Sequence, residues 1–217
     1  MLTFDLHIHS KYSFDSYLAL SSIVEAAKRK GLTGIAVADH NTIQGAVEAE
    51  KIAKQELIVI CATEINTEIG DVVGLFINRD IRARKFEDVV SEIKAQGGIA
   101  VLAHPYKRKR TVTPEILQKI DAVEGFNARN GINNREAMLL ARRYNLPVVG
   151  GSDAHFAFEI GRGRTLLDGL TNIDSASLKE KILSGQAKAT GESSSPFLEL
   201  LSQGLKALKR KSPCIRF

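Results

Sequence analysis

Short apolar runs alternate with stretches of helical composition along most of this chain, and that alternation limits the folds open to it. The runs are Leu2–His9, Gly34–Ala38, Leu57–Ile65, Val72–Ile77, Ile99–Ala103, Ala122–Asn127, Pro147–Gly150 and Arg164–Leu167. Helical composition fills Ile43–Gln55, Lys85–Gln96, Asn133–Tyr144, Ser175–Ser184 and Phe197–Lys209. A capping box, Ser22-Ile23-Val24-Glu25, is expected to open the first helix, and Gly31 to close it. Strand–helix alternation predicts a parallel sheet with helices outside it. Glu64–Asp71 reads instead as a turn between two strands. The expectation is a single α/β domain over residues 1–217, a distorted (β/α)7 TIM-like barrel with a C-terminal helix at about 196–211. An open doubly wound sheet is the alternative.

Composition narrows the setting. At 217 residues, 44% hydrophobic and 25% charged, the chain suits one soluble domain. No apolar run approaches the roughly 20 residues that span a bilayer, so no membrane role is expected. No signal peptide is read at the start. Two cysteines, Cys61 and Cys214, are too few for a disulfide framework. A reducing cytoplasmic setting follows, with Cys61 a small core residue. The net charge of +5 suits an anionic substrate without demanding one.

The first strand alternates polar and apolar residues, which puts Thr3, Asp5, His7 and His9 on one face. All five histidines lie at or just past the C-terminal end of an expected strand. His7 and His9 end the first, and His40 follows the second. His104 follows Ile99–Ala103, and His155 stands two residues after Asp153. In a β/α barrel these ends converge on the face where active sites are built. Glu64, Asp153 and Asp15 fall at the same face. Clustered carboxylates repel one another and resist desolvation unless a counter-charge joins them. Imidazole nitrogen with carboxylate oxygen is the donor set of zinc, manganese or iron. The number of donors suits two or three ions, with Glu64 able to bridge a pair. Asp39 is expected to be structural, because it points away from its neighbour His40.

Asp5-x-His7-x-His9-Ser10, Asp15, Ala38-Asp39-His40-Asn41-Thr42, Glu64, Ala103-His104-Pro105 and Gly151-Ser152-Asp153-Ala154-His155 together resemble the PHP (polymerase and histidinol phosphatase) superfamily, in its order and over nearly the whole chain. The resemblance implies a distorted seven-stranded barrel holding up to three metals. By analogy His7, His9, Glu64 and Asp153 hold one ion, and Glu64 and His104 hold a second with one further ligand. Asp15, His40 and His155 hold a third. Many members carry a histidine shortly after the bridging glutamate; here the matching place holds Asp71, which either ligates in its stead with changed metal preference or leaves the second ion weakly held. Some members carry an inserted helical cap, for which this chain looks too short.

A metal-bound water reaches a pKa near 7, and paired cations clamp a phosphoryl oxygen. The expected activity is therefore that of a metal-dependent phosphoric ester hydrolase. Its expected substrate is a small phosphomonoester, such as histidinol phosphate or a phosphorylated nucleoside, attacked by metal hydroxide. Asp15, His40 and His155 are candidates for protonating the leaving oxygen. Lys107, Arg108 and Arg129 are candidate phosphate ligands, because basic residues follow two strands at this face. Three alternatives remain at this point. One is a nuclease of short RNA or DNA, disfavoured by 6% aromatic content and no tryptophan. Another is a non-catalytic subunit of an RNA-processing assembly. The third is a different His-x-His barrel hydrolase, such as an amidohydrolase.

Overall fold

The computed structural model describes residues 1–107, 112–169 and 173–211. Its strands are β1 (Leu2–Ile8), β2 (Gly34–Val37), β3 (Ile58–Asn66), β4 (Asp71–Leu75), β5 (Ile99–Leu102), β6 (Ala122–Asn127), β7 (Val148–Gly151), β8 (Gly163–Leu167) and β9 (Lys188–Gly191). The helices are α1 (Leu20–Arg29), α2 (Gln44–Ala53), α3 (Phe86–Ala95), α4 (Pro114–Leu117), α5 (Asn133–Arg143), α6 (Ser175–Leu183) and α7 (Pro196–Lys211). The strands form one sheet in the order β7-β6-β5-β4-β3-β2-β1-β8-β9, curled into a nearly closed barrel with helices outside. Among the described residues no helix is long and apolar enough to cross a membrane.

The sheet is mixed, which corrects the all-parallel expectation. β1, β2 and β3 run parallel, as do β5, β6 and β7, but β4 is antiparallel to both its neighbours. The cause is the short turn foreseen between β3 and β4. Thr67 N–H and Oγ1–H both donate to the Gly70 carbonyl, at 2.9 and 2.6 Å, leaving no length for a helical crossover. β8 is antiparallel to β1, and β9 to β8. β9 escapes the sequence reading because it is largely exposed and carries no apolar run, and α4 because four residues are too few for a helical period. α1 corrects a second expectation. It begins at Leu20, behind Ala19, with no side-chain cap, so Ser22 lies inside the helix. The apolar face decides this start: Leu20, Ile23, Val24 and Ala27 all enter the core. Burying each larger side chain contributes about 1.5–3 kcal/mol, against about 1 kcal/mol for a cap. Gly31, at φ +66°, does close the helix, and Leu32 N–H reaches the Ala27 carbonyl behind it.

Strands buried on both faces explain the unbroken apolar runs. Phe4, Leu6, Ala36, Ile60, Ala62, Val73, Val101 and Val149 belong to one buried cluster. Ile35, Val37 and Ile8 pack instead with α1 and α2. Ile8 therefore parts from Phe4 and Leu6, because the β1–β2 register shifts between Asp5 and Ile8. Cys61 is half-buried, and burial pushes its thiol up to about 11, as suits an unreactive thiol.

The barrel closes where β1 changes neighbours. Leu2–Phe4 pair with β8, whereas the end of β1 meets the chain leaving β7: Asp153 N–H donates to the His7 carbonyl at 2.7 Å, and His9 N–H to Ala154 at 2.9 Å. Glycine makes this approach feasible. A Cβ on Gly151 would collide with His7, and one on Gly163 with the Gly151 carbonyl. Asp5 seals the seam. Its fully buried carboxylate accepts from Ser152 N–H at 2.9 Å and Gly161 N–H at 2.7 Å.

Burial pushes the Asp5 carboxyl up to about 6, and the hydrogen bonds from Ser152 and Gly161 only partly oppose it. The folded chain then holds this proton more tightly than the unfolded chain. The resulting stability is full below about pH 4 and is lost as pH rises through about 6. The shift corresponds to about 3 kcal/mol. Denaturant unfolding of metal-free wild type and Asp5→Asn should show wild type losing about that much relative stability between pH 4 and 7, with no change in their difference counting against this account.

Candidate metal centre

The strand ends bring all five histidines together. Ring centroids lie 5.1 Å apart for His7–His9, 5.7 Å for His7–His104, and 4.6 Å for both His9–His40 and His9–His155. Glu64 sits at their centre. Its oxygens stand 2.8 Å from His104 Nε2, 3.1 Å from His40 Nδ1, 3.4 Å from His9 Nε2 and 3.7 Å from His7 Nε2. Asp153 Oδ1 lies 3.3 Å from His9 Nε2. Asp15 stands between His40 Nε2 at 3.1 Å and His155 Nε2 at 3.4 Å. Asp71 is at the margin, 3.8 Å from His104 Nε2.

Backbone strain helps aim these groups. His104 and Asp153, both non-glycine residues ending strands, hold φ at +25° and +54°. Such conformations cost of order 1–3 kcal/mol each and persist where neighbouring contacts enforce them. Here the His104 N–H is fixed on Glu124 Oε2 at 2.8 Å, and the Asp153 N–H on the His7 carbonyl.

Outer contacts orient the rings. His7 Nδ1 meets Glu124 Oε1 at 3.0 Å, His9 Nδ1 meets Ser13 Oγ at 2.9 Å, and His155 Nδ1 meets the Asp153 carbonyl at 2.9 Å. Each ring thus has one nitrogen occupied outside and the other facing the cluster, the usual preparation of a ligating histidine. Asp39 has the structural place expected of it, accepting from Ser10 N–H, Ser10 Oγ–H and Ser13 Oγ–H at 2.7, 2.6 and 2.7 Å. The sequence reading missed Glu124 and Ser13. Glu124 was detectable as the one charged residue within the apolar strand Ala122–Asn127.

Electrostatics favour ligation. Burial, with the nearby His155 and His40, pushes His9 down to about 3 despite the Asp153 hydrogen bond, keeping the ring neutral at neutral pH. Burial alone would raise Glu64, Asp153 and Asp15. It is outweighed by His7 and His40 around Glu64, by Lys107 and His9 around Asp153, and by His155 and His40 around Asp15, so all three sit below the usual carboxylate range. His7 moves the other way: burial opposes its protonation, but Glu124 and Glu64 outweigh it. A bound cation would stabilise the same carboxylates.

The donor set fits such cations. Among the described residues three triads have donor atoms within 4.8 Å of one another: His7/His9/Asp153, His7/Glu64/His104 and His9/His40/Glu64. Buried Asp15 Oδ1 has no hydrogen-bond partner of proper geometry. The triads share His7, His9 and Glu64. Of the sets implied by resemblance, Asp15, His40 and His155 also stand together, with Asp15 3.1 and 3.4 Å from the two rings, and Asp71 lies 3.8 Å from His104.

Of the basic residues, Lys107 lies beside the cluster as expected, whereas Arg129 is engaged elsewhere. Lys107 Nζ lies 2.9 Å from Asp153 Oδ2, beside the cluster. Arg108 lies outside the described residues. Arg129 borders the same cleft, but its fork is committed. Its Nε and Nη2 donate to Glu159 at 3.0 and 2.6 Å, and its Nη1 donates to Ser202 Oγ at 2.9 Å. Sequence reading took it for a free anion ligand because Glu159, thirty residues on, gave no sign of meeting it.

Residues 5–149 match the family model of the PHP domain, and residues 131–187 that of a PHP-associated region. The chain belongs to the PHP family. Two uncharacterized proteins of Methanocaldococcus jannaschii are similar to it. One is 39% identical over 62% of this chain and 88% of its own length; the other is 30% identical over 72% and 67%. Among solved structures, a two-domain Bacteroides vulgatus protein containing a predicted PHP-like metal-dependent phosphoesterase superposes at TM-score 0.75 and 20% identity, covering 88% of this chain and 65% of that one. The present chain thus spans slightly under two thirds of that protein. PsfC from Pseudomonas syringae superposes at TM-score 0.68, with 19% identity over 95% and 98% of the two chains. A Chromobacterium violaceum amidohydrolase with bound sulfate gives 0.62, with 17% identity over 85% and 97%. At these identities the solved structures support the PHP fold alone.

Two substitutions separate the roles described here. Glu124→Gln removes the charge behind His7 while keeping its volume, so divalent-cation affinity, read by calorimetry, should weaken about 10–100-fold with the fold retained. Arg129→Ala leaves Glu159 buried and unpaired, so it should destabilise by about 3–5 kcal/mol in urea unfolding. Wild-type stability in that variant would return Arg129 to the role of a free ligand.

Proposed function

We propose that this PHP protein is a metal-dependent phosphoesterase that hydrolyses a small phosphomonoester. The observation that carries the reading is Glu64, buried between four imidazoles at the floor of a cleft of about 270 Å³ that Lys107 also lines. His7, His9, Glu64, His104, Asp153 and His40 would hold two or more divalent ions, and the nitrogen–oxygen donor set suits zinc, manganese or iron. Bound there, such ions would supply a nucleophile at neutral pH and neutralise charge on a phosphoryl oxygen.

The chain's own groups do the rest. Neutral His9 and the ionised carboxylates are ready to ligate without first losing protons. Lys107, held by Asp153, sets a fixed positive charge beside the incoming phosphate. His155, 3.4 Å from the ionised Asp15 at the cleft wall, would pass a proton to the leaving oxygen, with Asp15 orienting its ring. His40, which also touches Asp15, shares that position. Histidinol phosphate and phosphorylated nucleosides fit the expected substrate class.

A screen of metal-reconstituted protein over phosphomonoesters, oligonucleotides and amides tests this reading. Monoester hydrolysis should dominate. His9→Ala should lower kcat/KM by more than the roughly 100-fold typical of an outer-sphere loss, while the protein stays folded. Amide cleavage without monoester turnover would overturn the proposal.

A further inference from the structure

α7 begins nine residues beyond the end of both family matches, yet it forms part of the cleft. Glu199, Ser202, Gln203 and Lys206 line the same space as Glu64 and Asp153. Polar contacts fix the helix to three loops that carry candidate ligands or follow them. Glu199 Oε1 lies 4.0 Å from Lys107 Nζ, on the loop after His104. Ser202 Oγ accepts from Arg129, on the loop after β6. Lys209 Nζ donates to the carbonyls of Lys11, Ser13 and Ser16 at 2.7, 2.6 and 2.7 Å, in the loop that holds Asp15. An ammonium has three donors, and all three are used. The helix is therefore tied across one side of the mouth.

Charge separates the cations that line the cleft. Lys107 is paired with Asp153, and Arg129 with Glu159. Among the described residues Lys206 has no carboxylate within ion-pair distance. Its ammonium lies 4.3 Å over the Phe14 ring, which stacks on His40 at 4.2 Å. Lys206 thus holds unneutralised positive charge beside the His40–Asp15 side of the cluster. The cleft volume, about 270 Å³, falls just below the roughly 300–1,000 Å³ usual for ligand pockets. A strand passing through needs a cleft open at both ends, whereas a terminal phosphate needs only one opening.

We propose that α7 is the specificity wall of this site: Lys206 binds the non-bridging oxygens of a terminal phosphate, and the helix body excludes phosphodiesters within a polymer. This rests on the phosphoesterase reading, which it deepens by assigning the anion anchor to α7 in place of Arg129.

The test uses the full-length, manganese-reconstituted protein with Lys206→Ala, Lys206→Arg and Lys209→Met. Calorimetric titration with inorganic phosphate needs no turnover. Lys206→Ala should bind phosphate about tenfold more weakly, as loss of one charge-assisted hydrogen bond implies, and Lys206→Arg should recover most of that loss. With p-nitrophenyl phosphate, Lys206→Ala should raise KM about tenfold while kcat stays within about twofold. Lys209→Met, which releases one tether, should increase cleavage of a single-stranded oligonucleotide relative to the monoester. Unchanged phosphate affinity in Lys206→Ala overturns the anchor, whatever the protein hydrolyses. Internal oligonucleotide cleavage by wild type as fast as monoester hydrolysis overturns the wall. Weakened phosphate binding without turnover of any ester supports the anchor and overturns the phosphoesterase reading instead, so the two failures are distinct.

Discussion

Glu64 places a carboxylate between four imidazole rings where almost no water reaches. A buried charge of this kind persists only if its surroundings repay the lost hydration. Much of the architecture answers that demand. His7 and His40 face it and hold it below the usual carboxylate range, Lys107 balances the neighbouring Asp153, and Glu124 turns His7 toward it from behind. Divalent cations, as proposed, would meet the same demand and would give the arrangement a chemical purpose.

The barrel supplies the rigidity this requires. Donors from β1, β3 and the ends of β2, β5 and β7 meet only because the sheet curls until the end of β1 lies against the chain leaving β7. That closure rests on small features: two glycines that let backbones touch, and a buried aspartate holding two amides across the seam. His104 and Asp153 take left-handed backbone conformations at strand ends, and contacts from Glu124 and β1 hold them there. The antiparallel β4 lets the chain pass from Glu64 to Asp71 through a short turn, bringing a second carboxylate to the margin of the cluster.

The legible parts of the sequence were those with strong local pattern. Apolar or alternating runs located eight strands to within one or two residues at either end, because strand periodicity and burial are local patterns. The histidines stood out because imidazoles are few here and each fell at a strand end. Partners distant in sequence were not legible. Arg129 looked like a free cation until Glu159 and Ser202 met it, and Glu124 looked like one more acid in a strand. The Ser22 capping box carried the right letters, but burial of Leu20 moved the start of the helix past it.

By itself the sequence determined that β-strands alternate with helices, that imidazoles and carboxylates gather at one end of the strands, and that the chain carries the PHP pattern. These follow from local periodicity and residue chemistry, which need no knowledge of distant neighbours. Only the tertiary structure decided which donor atoms share a triad, which cations are already neutralised, and that α7 lies over the cleft. Those outcomes depend on distances between residues far apart along the chain, and charge pairing has no meaning until those distances exist.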